Sequence, residues 1–259
     1  MKTGKKLLIV LLAIAALAAV AAGSSLGTIA YMTSASKVSN LFTVGNVKVT
    51  LDESVVDGDG KIVTTGERTD RNSYHLMPGK SYDKDPRITV AADTETCYIF
   101  LITRNQITDI EVQGDPEKLT MAEQMVQNGW GIYKDTTAGS RVWIYCGSAA
   151  NVDAETKMAV KPVAVCGTDR ASTANGETIL VASNYIPVFT KFHITTDKSA
   201  DLNIYSGAEV TINAVAIQSD SFGTAGAMNS VDAAWAAVVN QFPYIQDNVS
   251  SNVTPDEQE

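Results

Sequence analysis

Few side chains in this sequence could carry out catalysis or bind a metal. His75 and His193 are the only imidazoles, whereas zinc sites draw on close sets of His, Cys and carboxylates. His193 stands between two apolar residues of an alternating stretch, which favours a structural role in a strand. A Ser or Cys nucleophile meets its histidine base only in the fold, and nothing in the sequence singles one out. We therefore predict no catalytic residue, no metal ligand and no cofactor.

The segment Asp57 to Lys61 (DGDGK) begins like a calcium-binding loop. Such a loop needs an acidic ligand at its twelfth position, and Arg68 occupies that position here. Asp-Gly steps are typical of tight turns. We therefore predict a hairpin turn between Val55–Val56 and Ile62–Val63, and no metal site.

The three cysteines, Cys97, Cys146 and Cys166, allow at most one intramolecular disulfide. Each adjoins an apolar run, and their spacings match no zinc pattern. Because free cysteine is often buried as a small apolar side chain, we predict that role for them.

Four aromatic residues, Trp130, Tyr133, Trp143 and Tyr145, lie on two neighbouring segments. An exposed row of this kind would favour carbohydrate binding. Aromatic side chains more often dominate protein cores, and we predict core packing for these four.

The N-terminus is typical of an export signal. Three lysines precede an apolar run from Leu7 to Ala22, which is shorter than the roughly 20 residues of a spanning helix. We therefore predict a signal helix over residues 1–30, with a retained membrane anchor as the alternative. Small residues at Thr28 and Ala30 predict cleavage between Ala30 and Tyr31, although residues 21–25 offer an earlier site.

Loss of this segment removes three lysines and no acid, so the formal net charge changes from −9 to −12. Nucleic-acid binding needs Lys and Arg to neutralise phosphates. The composition therefore argues against a nucleic-acid partner and predicts a soluble acidic exterior. We expect no membrane contact after cleavage.

The elements that must position these residues are mostly short strands. Alternation or continuous apolar runs predict ten strands. Segments 130–133 and 141–146 are expected to form one hairpin, and 160–166 and 178–182 another. The predicted strands are 47–51, 86–92, 97–103, 110–112, 130–133, 141–146, 160–166, 178–182, 186–195 and 210–217. Helical spacing predicts helices at Leu119–Val126 and at Val231–Val239, the latter with Ser230 as its N-cap and Trp235 as its docking residue.

The predicted fold class is all-β. We expect a jelly-roll-like antiparallel β-sandwich with a few short helices over residues 31–245, preceded by the signal helix. A disordered polar tail is predicted over residues 246–259.

Several segments in this order resemble one protein family. The junction GTIAYMTSASKVSNLFTVGNVKVTL is the most specific, followed by LMPGKSYDKDPRITV, CYIFLI, IPVFTKFHI, INAVAIQSDSF and the late AAWAA. Together they resemble the TasA and camelysin (CalY) family of Gram-positive bacteria, which is exported with a signal peptide of the type processed by SipW. The resemblance does not extend over Asn105 to Thr178.

The resemblance implies a jelly-roll sandwich, secretion to the cell surface or extracellular matrix, and assembly into biofilm-matrix fibres. The implied partners are further copies of the chain, the signal peptidase during export and other matrix proteins. Camelysin also carries a metallopeptidase label, so a cell-surface metallopeptidase is the alternative function, although the sequence has no recognised zinc motif.

The segment released by cleavage is our candidate assembly element. An extended N-terminal peptide can add to the edge of a sheet in another subunit, and unlike donor and acceptor surfaces build an open head-to-tail fibre. A disordered or self-packed leader is the alternative. The predicted donor strand consists of Tyr31, Met32, Thr33, Ser34, Ala35, Ser36, Lys37 and Val38.

Overall fold

A computed structural model describes residues 34–44, 46–135, 140–173, 179–181, 185–196, 205–220, 222–223 and 226–241, with the backbone alone at 34–44, 171–173 and 179–181. The predicted signal helix over residues 1–30, the first three donor residues and the predicted tail at 246–259 lie outside the described residues.

The described residues form fourteen strands and two α-helices. The strands are β1 Ser34–Val44, β2 Val49–Ser54, β3 Arg68–Thr69, β4 Arg71–Tyr74, β5 Ser81–Asp83, β6 Arg87–Val90, β7 Cys97–Asn105, β8 Trp130–Asp135, β9 Arg141–Tyr145, β10 Ala164–Cys166, β11 Ile179–Val181, β12 Tyr185–Pro187, β13 Lys191–His193 and β14 Val210–Gln218. The helices are α1 Met121–Gln127 and α2 Met228–Gln241.

The largest sheet has eight strands in the order β11-β10-β7-β14-β1-β4, with β9 also paired to β7 and β8 paired to β9. Strand β7 is its centre, and residues Cys97 to Ile102 are at most 3% exposed. A continuous apolar run fits a strand covered on both faces. The prediction of a central buried strand here is confirmed.

Each face of this sheet borders its own core. The first core includes Ile99, Leu101 and Ile212, and it lies towards the smaller sheets β12-β6-β2-β3 and β13-β5. The second core includes Phe100 and Val215 and is closed by α2. Adjacent residues of one strand enter opposite cores because side chains alternate along a strand.

Helix α2 covers the second core through Trp235, whose ring centroid lies 5.1 Å from that of Phe100. The predicted docking of a terminal helix by this tryptophan is confirmed. The predicted N-cap is wrong, because the helix begins at Met228 and encloses Ser230. Ser230 is buried and its N–H donates to the Ala227 carbonyl, so the helical turn starts before it.

Two predictions based on local sequence, the turn after Val56 and the helix at Leu119–Val126, are confirmed. Asp57 accepts hydrogen bonds from the backbone N–H groups of Asp59 and Lys61, each at 2.9 Å, which closes the turn between Val56 and Ile62. Helix α1 begins after Thr120, whose hydroxyl and backbone N–H exchange hydrogen bonds with Glu123 in a capping box.

The predicted strand at Ile110–Val112 is wrong. A 3-10 turn occupies Thr108–Ile110, and only Glu111 makes an isolated bridge, with Ile194. The Asn105 side chain accepts a hydrogen bond from the Ile107 N–H at 3.0 Å. Such a side-chain to backbone bond competes with strand pairing, and here it turns the chain.

The predicted single strand from Ile186 to Thr195 is also wrong. It divides into β12, which pairs with β6, and β13, which pairs with β5 in another sheet. Pro187 has no N–H to continue a ladder. Val188 and Phe189 are both buried, so the period-2 alternation fails at the bend between the strands.

The predicted hairpin of residues 160–166 and 178–182 is wrong, since β10 and β11 pair in parallel. Parallel neighbours need a crossover connection, and a 3-10 helix at Thr168–Thr173 lies in it. Strands β1 and β14 form the other parallel pair of the described sheets. The fold is thus all-β and mostly antiparallel, with two α-helices among the described residues. None of the described helices has the length and apolar character that a membrane span requires.

Candidate assembly site: the N-terminal strand and its groove

Strand β1 lies inside the eight-stranded sheet, between β14 and β4. It runs parallel to β14 from Ser36, opposite Val210, to Val44, opposite Ile217. Its first four residues, Ser34–Lys37, pair antiparallel with β4. We call the space between β14 and β4 that β1 fills the acceptor groove.

The strand register shows which residues the two alternating sets of the predicted donor strand are paired with. Ser34, Ser36 and Val38 stand opposite Tyr74, Asn72 and Ile212, which are all buried. The other set stands opposite exposed positions of β4, with Ala35 at Ser73 and Lys37 at Arg71. Partners directly across a ladder share a face, so the set with Ser34 takes the core-facing positions. Ala30 and Tyr31, Met32 and Thr33 lie outside the described residues.

The β14 wall of the groove is held without help from β1. Strand β14 pairs antiparallel with β7 along its whole length, from Val210 opposite Asn105 to Gln218 opposite Cys97. Beyond β14, the Ser219 N–H donates to the Thr96 carbonyl at 2.8 Å. The main-chain groups on the other side of β14 are the ones that β1 uses.

The β4 wall is also held by contacts outside the groove. Asn72 donates to the Ser54 carbonyl at 2.8 Å and accepts from the Val56 N–H at 3.1 Å, which ties β4 to the end of β2. The Tyr74 hydroxyl donates to the Asp83 carbonyl at 2.9 Å. Its ring centroid lies 5.1 Å from that of Phe192 in an edge-to-face contact. The side chains of Asn72 and Tyr74 therefore fix this wall to the end of β2, to β5 and to β13.

The chain downstream of β1 is anchored as soon as it leaves the groove. The Asn46 carbonyl accepts from the Glu95 N–H at 3.2 Å. The Lys48 carbonyl accepts from the Ala91 N–H at 2.9 Å and from the Thr94 hydroxyl at 2.8 Å. Strand β1 therefore lies between two walls that other contacts hold, and its C-terminal end leads into a fixed segment.

A second concave site lies at the end of the same sheet. A cleft of about 390 Å³ opens in the first core between the ends of β7, β9 and β14 and helix α1. Its apolar lining comes from Met121, Ala122, Met125, Trp143, Phe189, Val210 and Ile212, and charged side chains of Asp135, Arg141 and Lys157 also line it. We call it the Glu111 cleft, because the carboxylate of Glu111 lines it and is only 3% exposed.

The Glu111 carboxylate accepts two hydrogen bonds, from the Asn105 side chain at 2.7 Å and from the Met121 N–H at 2.9 Å. No ion pair between described side chains includes it. Burial disfavours its charged form and raises the pKa of Glu111 to about 7. Sequence analysis did not single out Glu111, because it predicted only a short strand at Ile110–Val112 and no site residue there.

Each histidine contacts a residue of β5. His193 bonds through Nδ1 to the hydroxyl of Ser81, its cross-strand partner, at 2.6 Å. The backbone carbonyl of His75 accepts a hydrogen bond from the hydroxyl of Tyr82, also in β5. Among the side chains that the structure describes, no three His, Cys, Asp or Glu residues are placed to hold a metal ion.

The cysteine and tryptophan predictions are confirmed. All three cysteines are free and buried. Trp130 and Trp143 are 0% and 2% exposed, and both belong to the first core. Tyr133 and Tyr145 are half-buried beside other aromatic rings, so these four residues form no exposed row.

Comparison with known proteins gives no match to this chain among protein-family models, curated proteins or solved structures.

Proposed function

We propose that this chain is a secreted structural subunit of extracellular biofilm-matrix fibres, which polymerises by donating its N-terminal strand to the next subunit. The observation that carries the proposal is the position of β1, an N-terminal strand inserted between two walls that other contacts hold. The mechanism is an exchange, in which the groove of one subunit receives β1 of another.

The exchange follows from the pairing pattern. The main-chain groups that β1 offers to β14 and β4 are the same whether both belong to one chain or to two, so the bonds lost in one subunit are regained in the next. Swapping an identical element between copies is a low-cost route to association. Strand β1 is suited to it because it lies near the N-terminus and needs only its C-terminal link.

The geometry of the exchange leads to a fibre. The donor is β1 and the acceptor is the groove between β14 and β4, so one subunit presents two different surfaces. A contact between unlike surfaces is head-to-tail and grows as an open filament unless its rotation closes a ring. Each subunit then receives one strand and donates one.

Signal-peptide cleavage is the step that permits exchange in this proposal. While residues 1–30 remain, the signal helix would hold the donor at the membrane. Cutting between Ala30 and Tyr31 frees an end that can leave one groove and enter another. We further infer that the sandwich is related to a jelly roll and that the partners are other copies of the chain, the signal peptidase and other matrix proteins.

The test is deletion of Tyr31 to Ser39 from the mature chain. Light scattering and electron microscopy should show fibres from the parent chain and folded monomers from the deletion, with circular dichroism reporting the fold. Undiminished fibres from the truncated chain would exclude strand donation.

A matched control removes nine residues from the other end, Ser251 to Glu259. This segment is polar and acidic and takes no part in the proposed contact. The control should form fibres at the parent's rate. Equal loss in both truncations would mean that chain length or charge, and not the donor strand, determines assembly.

A further inference from the structure

A lysine and a glutamate contact each other inside the protein, away from water. The Nζ atom of Lys84 donates to Oε2 of Glu53, and both side chains are 0% exposed. In no other ion pair between described side chains are both partners fully buried. Glu53 lies in β2 and Lys84 directly follows β5, so the contact joins two different sheets.

Hydrogen bonds of the adjacent residues hold this contact in place. The Ser54 N–H donates to Oδ1 of Asp85 at 2.6 Å, and the Ser54 hydroxyl donates to Oδ2 at 2.8 Å. The Lys84 N–H donates to the Thr190 carbonyl at 3.0 Å. Ser54 and Asp85 are the chain neighbours of the two charged residues, so their bonds align the two main chains beside the pair. Groups that are held in contact in this way react as if they were at a very high concentration.

The surroundings disfavour both charges of the pair. Burial lowers the pKa of Lys84, although the negative charge of Glu53 opposes the shift. The other carboxylate oxygen of Glu53, Oε1, is buried and accepts no hydrogen bond within the described part of the chain. Attraction between two buried charges offsets their desolvation only in part. The site therefore favours a reaction that replaces both charges by a neutral group.

We propose that Lys84 and Glu53 form an isopeptide bond in the folded chain. A proton passes from the Lys84 ammonium group to the Glu53 carboxylate, and the neutral Nζ atom attacks Cδ. The N–C bond forms and one C–O bond breaks, and that oxygen leaves as water with two of the three ammonium protons. No atom is oxidised or reduced, so the reaction needs no further reactant.

The bond would reinforce the β4 wall of the acceptor groove. The carbonyl of Ser54, beside Glu53, accepts a hydrogen bond from a β4 side chain. The carbonyl of Asp83, beside Lys84, accepts another. An isopeptide bond would therefore connect the two points that hold β4. It forms within one subunit, so it does not depend on the proposed fibre function.

The test is mass spectrometry of the folded mature chain beginning at Tyr31, under reducing conditions. The intact mass should be lower than that of the sequence by one water molecule. Trypsin does not cleave after an acylated lysine, so residues 49–61 and 81–87 should be recovered as one branched peptide. Full intact mass, with 49–61 and 81–84 recovered as separate peptides, would overturn the proposal.

The variant Lys84→Arg keeps the positive charge but has no amine to form the bond, so it should have its full mass. Lys61→Arg is the matched control, because Lys61 pairs with Asp83 at 3.3 Å on the surface, where its side chain is 48% exposed. This control should still lose one water molecule. Loss of water that persists in Lys84→Arg would place the reaction elsewhere, such as a succinimide at Asp57, and would overturn the proposal.

The parent chain keeps the test valid if Lys84→Arg does not fold. Chain purified in denaturant without ever folding should have its full mass, and it should lose one water molecule after it is refolded. Loss of water in the chain that has never folded would show that the folded site does not cause the reaction, and would overturn the proposal.

Fibre formation is measured on the same samples. Fibres from a chain of full mass would reject only the isopeptide bond. A cross-linked chain that never forms fibres would reject only the fibre function.

Discussion

Strands β7 and β1 are both interior strands of the eight-stranded sheet, yet the chain holds them in different ways. Residues Cys97 to Ile102 of β7 are buried among both cores, and hydrogen bonds fix the chain at Thr96 and at Ile107. Strand β1 has the sequence SASKVSNLFTV, largely small and polar, and only its C-terminal end leads into a described anchored segment, at Asn46.

The difference indicates that an interior position in a sheet is not enough to keep a strand in its own subunit. Burial of apolar side chains contributes about 25 cal/mol per Å², and β7 contributes apolar groups to both faces of the sheet. Strand β1 pairs through its main chain with β14 and β4, and any copy of the same strand can supply that pairing. A chain end is also the place where opening costs least.

The largest contrast is expected from one proline placed in each strand. Ile99→Pro should prevent folding, because it removes a ladder N–H and a buried side chain from the centre of the sheet. Ser36→Pro should leave a folded monomer that is about 1 kcal/mol less stable, the loss expected for one hydrogen bond, and that forms no fibres. Urea denaturation and electron microscopy measure both effects.

If Ser36→Pro also prevents folding, β1 is as necessary to the subunit as β7, and the comparison fails. Soluble expression and circular dichroism of the two variants side by side decide this point.

A smaller effect on stability is expected from Phe100→Ala, a substitution in β7. The Phe100 ring is fully buried and packs 5.1 Å from Trp235 and 5.7 Å from Tyr133. Large-to-small changes at such sites cost about 3–5 kcal/mol. The free energy of unfolding should fall by this amount, while any folded fraction should still form fibres. A loss below about 1 kcal/mol would mean that α2 does not depend on this contact.

A substitution in the β4 wall of the acceptor groove should have a smaller effect on stability. Tyr74→Phe removes the hydrogen bond to the Asp83 carbonyl but keeps the ring that contacts Phe192. We expect about 1 kcal/mol of lost stability and slower fibre growth, because β4 becomes less firmly held. Seeded-growth rates measured by light scattering test this, and an unchanged rate would show that β4 needs no such anchor.

The smallest expected effect is a pH dependence at the sheet that supports β4. Burial, with the nearby charges of Lys118 and Lys191, lowers the pKa of His193. Below about pH 6.5, the ordinary value, the unfolded chain therefore binds more protons at this residue than the folded chain. Stability should fall as the pH falls from 7 to 5, and less steeply in His193→Gln. If the free energy of unfolding, measured by urea denaturation, changes equally with pH in the two chains, this prediction is wrong.

Several strands, a turn and a helix could be predicted from local sequence patterns. The apolar run of β7 and the alternation of β14 predicted buried strands, the Asp-Gly steps after Asp57 predicted a turn, and the spacing after Leu119 predicted α1. Each depends on residues close together in the chain, where periodicity and turn chemistry act directly.

Other features depend on residues that are far apart in the sequence, and they could not be predicted from it. Strand β1 has no alternating pattern along Ser34–Asn40, and its strand state follows from pairing with Val210 and beyond, far along the chain. The Glu111 cleft exists only because Asn105, α1 and β14 meet at one end of a sheet. The division of β12 from β13 at Pro187 likewise reflects which sheets are available as partners.

The exchange of β1 can be trapped directly by a disulfide. Ala35 and Ser73 are directly opposed across β1 and β4, and opposed residues of an antiparallel pair lie about 4.5–5.5 Å apart at Cα, within the range that a disulfide spans. The double variant Ala35→Cys and Ser73→Cys is assembled under reducing conditions, oxidised, and separated on a non-reducing denaturing gel. Strand donation predicts a covalent ladder of multimers from fibres, and locked monomers without fibres when oxidation precedes assembly. Intact fibres that yield only internally bonded monomers would contradict it.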